Sequence, residues 1–312
     1  MGECNPGADR SEAARAFDEH RGLLTSVAYR VLGSVTDAED TVQEAWLRWS
    51  GVDHSEVRDP RAFLVRVTTR LAIDRLRRVK ARRESYVGPW LPEPVLTGQD
   101  PSEDAAMAES ISMAMLVVLE TLSPLERAVF VLREAFGMPH AEIADVLGRK
   151  EEAVRQLARR ARAHVQERRS RFDADQAEQR RVTERFLEAA ATGDLEGLMA
   201  ILSPGVELVA DSGGRALAPR RPVRGAEKVA RFLFAVVTEE QTARFLESVG
   251  SEPSGGTHVH LPQVNGAPGV VITAGGEPIS ALVLDVSDGL VETIRLIVNP
   301  EKLAGVRAVE AQ

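Results

Sequence analysis

The residues best suited to chemistry are cations set at helical spacing. Arg149, Lys150, Arg155, Gln156, Arg159, Arg160 and Arg162 fall on or beside one exposed face of a helix. Guanidinium groups so placed can bond guanine edges and phosphates in the major groove of DNA. An earlier run holds Arg66, Arg70, Arg75, Arg77, Arg78, Lys80, Arg82 and Arg83. A helix this basic suits DNA, a membrane surface or a partner helix, and its lack of a broad aromatic face argues against the membrane. A third group could move protons. Strand alternation puts His258 and His260 on one face, and Asp285 follows. Surface or core-satisfied histidines account for this pair more simply, and no third metal ligand joins them in the pattern. No catalytic residue, metal or cofactor is expected.

The elements that must carry the first group read as a helix-turn-helix. Ser123, Pro124 and Glu126 supply an N-cap, a proline at the first helical position and a capping-box acid. That helix stops near Gly137, and a new one starts around Pro139 with Ile143, Ala144 and Leu147 inward. Gly148 suits the left-handed residue that ends it. The basic helix runs from about Glu151 with Val154, Leu157 and Ala161 inward. A short helix, a Gly-containing turn and a basic helix form the DNA-reading plan.

The second cationic group follows a helix that opens at Thr36 as N-cap with Glu39 three residues on. Val42, Ala45, Trp46 and Trp49 form its apolar stripe, and Asp37, Asp40 and Glu44 an acidic face. The next helix carries the cations around Phe63, Val67, Leu71, Leu76 and Val79.

Charge is distributed in blocks. The chain has 312 residues and net charge −8, which taken whole argues against nucleic acid. Yet residues 58–83 hold 10 basic and 2 acidic groups, net +8, and residues 149–172 hold 9 and 3, net +6. Salt screens charge beyond about 8–10 Å, so these blocks govern contact with phosphate. The single cysteine, Cys4, excludes an internal disulfide and is read as an exposed thiol in a loose tail. No secretory signal and no apolar run long enough to span a bilayer are seen, so a cytoplasmic location is expected.

Four segments follow. Residues 12–83 and 109–172 are all-α units, and residues 84–108, punctuated by Trp90, Leu91, Pro92, Glu93 and Pro94, are a linker. Residues 177–303 alternate helices with Val- and Ile-rich strands, and Ser287-Asp288-Gly289 marks a tight hairpin. Helices packed into a curved antiparallel sheet would give an α+β cone. THVHLPQV, GVVITAG, PISALVLDV and LVETIRLIV are its last strands.

These motifs resemble the extracytoplasmic-function sigma factors. DAEDTVQEAWLR is similar to their region 2.1–2.2, which implies that Asp37, Asp40, Gln43, Glu44, Trp46 and Leu47 bind the β′ clamp helices of core RNA polymerase. RAFLVRVTTRLAIDRLRR resembles regions 2.3–2.4, which assigns Arg61, Arg66, Arg70, Asp74, Arg75, Arg77 and Arg78 to the promoter −10 element. Many relatives have Arg-Asn where this chain has Thr69-Arg70. The helix-turn-helix resembles region 4, which assigns Arg149, Lys150, Glu152, Arg155, Gln156, Arg159, Arg160 and Arg162 to the −35 element. Core polymerase (β′ and β subunits) and promoter DNA are therefore the implied partners.

The linker and the added domain resemble the subgroup fused to a SnoaL-like domain, of the SnoaL and ketosteroid-isomerase superfamily. Its two further motifs match Asp211-Ser212-Gly213-Gly214-Arg215 and Asn299-Pro300-Glu301-Lys302-Leu303, with Ser212 in place of a glycine. The resemblance implies that these residues and the linker motif regulate the factor in cis. The superfamily includes ligand-binding modules and enzymes, so an unidentified small ligand in the cone is a further expectation. Two rival readings stand beside this one: a helix-turn-helix regulator with a ligand-sensing domain, and a SnoaL-type enzyme with a DNA-binding appendage.

Overall fold

The computed structural model describes residues 6–83, 85–97, 111–169, 175–236, 238–251 and 256–307. Cys4, linker residues 98–108 and residues 109–110 and 170–172 of the second helical unit lie outside the described residues. The chain divides into two compact units. One holds residues 6–82 and 118–167, and the other holds residues 83–97, 111–117, 168–169 and 175–307 among those described.

The first unit is helical. It contains α1 (Pro6–Leu32), α2 (Val35–Trp49), nearly all of α3 (Pro60–Arg83), the last three residues of α4 (Met113–Glu120), α5 (Pro124–Phe130), α6 (His140–Leu147) and nearly all of α7 (Glu151–Arg169). The N-cap of α2 is Ser34, not Thr36: its side chain accepts from Asp37 N at 3.0 Å, so the helix starts two residues earlier than the acidic run suggested. Val42, Ala45 and Trp49 are buried and Trp46 half-buried, and Trp49 Nε1 donates to Ala13 O at 2.8 Å. The capping box at Ser123 is present in both directions. After α5 the chain widens into one π-helical stretch, Val131–Ala135, before the turn at Gly137. Ile143, Ala144 and Val146 are buried in α6, whereas Leu147 is half-buried, because the helix ends on that residue. Gly148 takes φ +62, the left-handed C-cap its lack of a Cβ permits.

The second unit is α+β. Helices α8 (Gln176–Thr192), α9 (Leu195–Ile201), α10 (Ala226–Val236) and α11 (Glu239–Ser248) accompany strands β2 (Leu202–Asp211), β3 (Val223–Arg224), β4 (Thr257–His260), β5 (Gln263–Val264), β6 (Ala267–Ala274), β7 (Glu277–Ser287) and β8 (Leu290–Ile297). The linker adds β1 (Leu96–Thr97). The sheet order is β1-β5-β6-β7-β8-β2-β3, with β4 also on β6. The sheet is mixed rather than antiparallel throughout, because β2 runs parallel to β8. THVHLPQV is two strands, broken at Leu261-Pro262, where proline has no N–H for the ladder.

Side-chain alternation gives the sheet two buried faces. Leu208, Leu284, Val286 and Ile294 pack on Val182, Phe186, Leu198, Val229 and Leu233 of the helices. On the other face Val271, Ala281, Val283 and Ile297 pack with Leu91, Met113, Leu303 and Val306. Asp288 and Gly289, at φ 51 and 74, make the β7–β8 turn with two left-handed residues, the hairpin that matches strand twist.

Candidate functional site

Helix α2 presents an acidic and apolar surface. Gln43 and Glu44 are exposed, and Leu47 is 64% exposed, unusual for so large an apolar side chain. Asp37 and Asp40 share one cation, since Arg75 of α3 donates from Nε to Asp37 and from Nη2 to Asp40, each at 2.7 Å. Those two carboxylates raise the Arg75 pKa against the opposing effect of burial. The residues expected at polymerase and those expected at DNA thus meet in one cluster.

On α3, Arg61, Arg66, Arg70, Asp74, Arg77 and Arg78 are exposed. Arg77 pairs with Asp74 at 2.9 Å, and Arg78 Nε donates to Asp74 O at 3.3 Å. Thr68 and Thr69 are fully buried, and neither hydroxyl finds a hydrogen-bond partner. Thr69 therefore faces the core, and Arg70 alone of that pair reaches the surface.

On α7, the expected recognition helix, Val154, Ala158 and Ala161 are buried, Leu157 is half-buried, and Glu152, Arg155, Gln156, Arg159, Arg160 and Arg162 are exposed, as are Arg149 and Lys150 in the turn before it. Three of the cations are engaged: Arg155 with Glu151 at 2.6 Å, Arg160 with Glu126 at 3.4 Å, and Arg162 with Glu134 at 2.6 Å. Exposed pairs of this kind are worth about 0–1 kcal/mol, so phosphate can displace the carboxylates.

In the second unit the linker motif and both C-terminal motifs converge on Asp211, a fully buried carboxylate at the end of β2. It accepts from Tyr86 Oη at 2.6 Å, from Leu91 N at 2.7 Å and from Lys302 Nζ at 2.6 Å. Lys302 also donates to Leu91 O at 2.5 Å, so the linker backbone is held through both its N–H and its C=O. The ammonium lies 4.0 Å from the Trp90 ring centroid and 5.2 Å from that of Tyr86, a cation–π setting. Burial pulls the Lys302 pKa down to about 8, although Asp211 opposes this. Tyr86 is pushed well above the usual phenol value by burial and by accepting neighbours at Asp211.

Asn299 Nδ2 donates to Tyr86 Oη at 2.9 Å and its Oδ1 caps Glu301 N at 3.2 Å, so the turn through Pro300 is tied to the linker. Leu303 is buried in the same cluster as Leu91, and Arg215 pairs with exposed Glu301 at 2.7 Å. Gly213 and Gly214 are needed by their neighbours: a Cβ on Gly213 would come within 2.6 Å of Asn299 Nδ2, and one on Gly214 within 3.1 Å of Val87. Ser212 causes no strain in place of a glycine. Its hydroxyl accepts from Gly214 N at 3.2 Å, closing the turn.

Pro92, Glu93, Pro94 and Val95 are buried. Val95 exchanges hydrogen bonds with Asn265, and Thr97 Oγ1 accepts from Gly266 N at 2.9 Å. Tyr86, Asn265 and Thr97 are contact residues that the motif reading passed over. An aromatic hydroxyl just ahead of Gly-Pro was the available signal for Tyr86. Asn265 gives no signal beyond an Asn-Gly turn.

The proton-transfer candidates do not meet. His258 is exposed, and His260 Nε2 lies 3.0 Å from Thr273 Oγ1. Register sets His260 opposite Val271 and Val271 opposite Ala281, four residues along β7 from Asp285. Asp285 is buried against Arg295, and burial raises its pKa.

The family model for sigma-70 region 2 matches residues 16–83, and that for sigma-70 region 4 matches residues 112–165. The ECF RNA polymerase sigma factor SigJ of Mycobacterium tuberculosis is 42% identical over 93% of this chain and 92% of its own length. The probable ECF RNA polymerase sigma factor SigI of the same organism is 31% identical over 94% and 95%. The crystal structure of M. tuberculosis SigJ superposes with a TM-score of 0.72 at 39% identity, covering 94% of this chain and 98% of that one. Identity of this degree across nearly the whole of both chains, with the sigma-70 region 2 and region 4 models matched in order, places this chain among the extracytoplasmic-function RNA polymerase sigma factors.

Proposed function

We propose that the α+β domain regulates this alternative sigma factor in cis by holding the linker between its two promoter-reading regions. The observation that carries the reading is the threefold use of Asp211, which binds Tyr86, Leu91 and Lys302 at once. A linker captured through its backbone, a buried carboxylate and an added strand cannot set the spacing of regions 2 and 4 freely. The domain thereby does in cis what a separate anti-sigma protein does in trans. The apolar packing of the cone around Phe186 and Leu233 suits a docking platform, and we place no ligand in it.

In this reading Asp37, Asp40, Gln43, Glu44, Trp46 and Leu47 face the β′ subunit. The cations of α3 take the −10 element and those of α7 the −35 element, within the cytoplasm. No described helix is long and apolar enough to cross a membrane. The test is run-off transcription with core polymerase, comparing the full chain with chains cut near residue 172 and at intermediate points. A change in activity that tracks loss of the Asn299–Leu303 segment is expected. Equal activity at every length would remove the regulatory claim.

A further inference from the structure

His258 and His260 take no part in the cluster around Asp211, and the strand that carries them is open along one side. β4 pairs with β6, and among the described residues no other backbone bonds to it. Its outer row of N–H and C=O groups is a template for a further strand. Proteins blunt such edges with charge, proline or a bulge. Thr257–His260 holds no Lys, Asp, Glu or Pro, and a proline follows only at Pro262. Thr257, His258 and Val259 are exposed, so the strand meets solvent on both faces. Val259 is 58% exposed and Leu261 45%, large apolar side chains left in water.

Parity and ligand count together select the occupant of this edge. Antiparallel strands oppose residues that share a face. When β4 meets a second β4 about a two-fold axis, every register that keeps this rule sets histidine beside histidine. Centred on Val259, the pair sets His258 of each copy opposite His260 of the other, and Val259 meets its own image on the far face. Opposed Cβ atoms lie about 4.5–5.5 Å apart, and residues two apart on one strand about 6.6 Å. Four imidazoles then surround one point, within reach of an ion that binds nitrogen at about 2.0–2.1 Å.

Zinc takes four ligands in tetrahedral array and accepts imidazole nitrogen. A single chain falls short of this: no group of three or more His, Cys, Asp or Glu among the described residues is placed to hold a metal. The third ligand missing from the sequence pattern is supplied by the second copy. Thr273 Oγ1 lies 3.0 Å from His260 Nε2, which orients that ring and leaves Nδ1 for the ion.

Size explains why strand pairing needs the metal. A stable interface buries roughly 1,200 Å² or more in total. A four-residue strand falls well below that. We infer that β4 is an interface between two copies of this chain, joined by a zinc ion that His258 and His260 of each copy share. The oligomeric state then follows free zinc. β6, β7 and β8 separate β4 from β2, which carries Asp211, so this interface and the docking of the linker can fail independently.

Sedimentation velocity on the untagged full chain with Cys4→Ser, which removes the one thiol, tests this. With EDTA the chain should run as a monomer. Zinc sulfate should convert it to a dimer, with an end point of one ion per two chains. Cobalt(II) in place of zinc should show the strong visible absorption of a tetrahedral site. His258→Gln and His260→Gln should each weaken zinc-dependent dimerisation by more than about 100-fold, the upper range for losing even a supporting residue. Thr273→Val should weaken it by about 10–100-fold. Val259→Asp should keep the chain monomeric at every zinc concentration, and His20→Gln, on α1, should change nothing. His258 is exposed, so its substitution keeps the test open if a more buried change unfolds the unit by circular dichroism. A parent that stays monomeric in zinc overturns the interface. A dimer that forms equally in EDTA, or that survives both histidine substitutions, overturns the metal bridge. One ion bound per chain without association overturns the shared site, and so do larger zinc aggregates indifferent to both histidines.

Discussion

The backbone N–H of Leu91 donates to Asp211 Oδ2 at 2.7 Å, joining positions 120 residues apart in the sequence. The carboxylate has three donors and no exposure to water, so its removal leaves a buried ammonium, a phenol and an amide without an acceptor.

Asp211→Ala is therefore expected to destabilise the α+β unit by about 3–5 kcal/mol, the range for breaking a buried ion pair. Limited proteolysis between Tyr86 and Val95 should accelerate in the variant. An unaltered cleavage pattern and denaturation midpoint would contradict the central place given to this residue.

The Lys302 ammonium has its pKa lowered from 10.5 to about 8 by burial. Below pH 8 both folded and unfolded chains hold the proton, and the cost of burying the charge is constant. Between pH 8 and 10.5 the unfolded chain holds it and the folded chain does not, so stability rises with pH across that window, by up to about 3 kcal/mol. Asp211, Arg83 and Glu93 are the charged neighbours that share the effect. Melting temperature against pH should show this rise in the parent and lose it in Lys302→Met.

Leu47 is the exposed apolar residue on the acidic helix, and solvent already surrounds most of it. Leu47→Asp should leave thermal stability within about 0.5 kcal/mol, as for most surface changes. Core polymerase binding should weaken by at least about tenfold if this face is the docking surface. Pull-down of core enzyme with equal yield from parent and variant would displace the site from α2.

Arg155 and Arg159 both point outward from α7, but Arg155 is paired with Glu151. Replacing either with Ala should cost about 1–3 kcal/mol in promoter affinity if it meets a base edge, and should relax specificity at that position. Glu151→Gln should raise affinity for any duplex by freeing Arg155, an effect that salt weakens. Fluorescence anisotropy at two salt concentrations measures both. Unchanged promoter binding in both Arg variants would misplace the recognition helix.

Local chemistry was the legible part of the chain. Ser123 and Glu126 announce a capping box, and Asp288-Gly289 announces a turn with two left-handed residues, because each motif is stabilised by atoms within a few positions of itself. The same logic misled at Thr36, where Ser34 caps instead: both are good capping residues, and only the buried stripe of Val35, Ala38 and Val42 selects the register. The parallel β2–β8 pair joins segments about 85 residues apart, and no local signal distinguishes it from a hairpin partner. The site divided along the same line. The motifs identified Asp211, Asn299 and Lys302, but Tyr86 and Asn265 matter through hydrogen bonds to residues more than a hundred positions away. Arg70 donates to Val146 O and Lys80 to Leu122 O, backbone carbonyls of a kind every residue has, so no pairing of side-chain types could reveal these contacts.

The strand Leu96–Thr97 pairs with Gln263–Val264 of its own chain. A tethered ligand sees its receptor at a fixed effective concentration, whatever the number of copies in the cell. Docking of this linker is thus indifferent to expression level and dilution, unlike capture by a separate inhibitor, whose grip depends on the ratio of the two proteins. Synthesising more of the factor raises open and docked forms in equal proportion. Under the proposed regulation in cis, the set point is therefore written into the affinity itself.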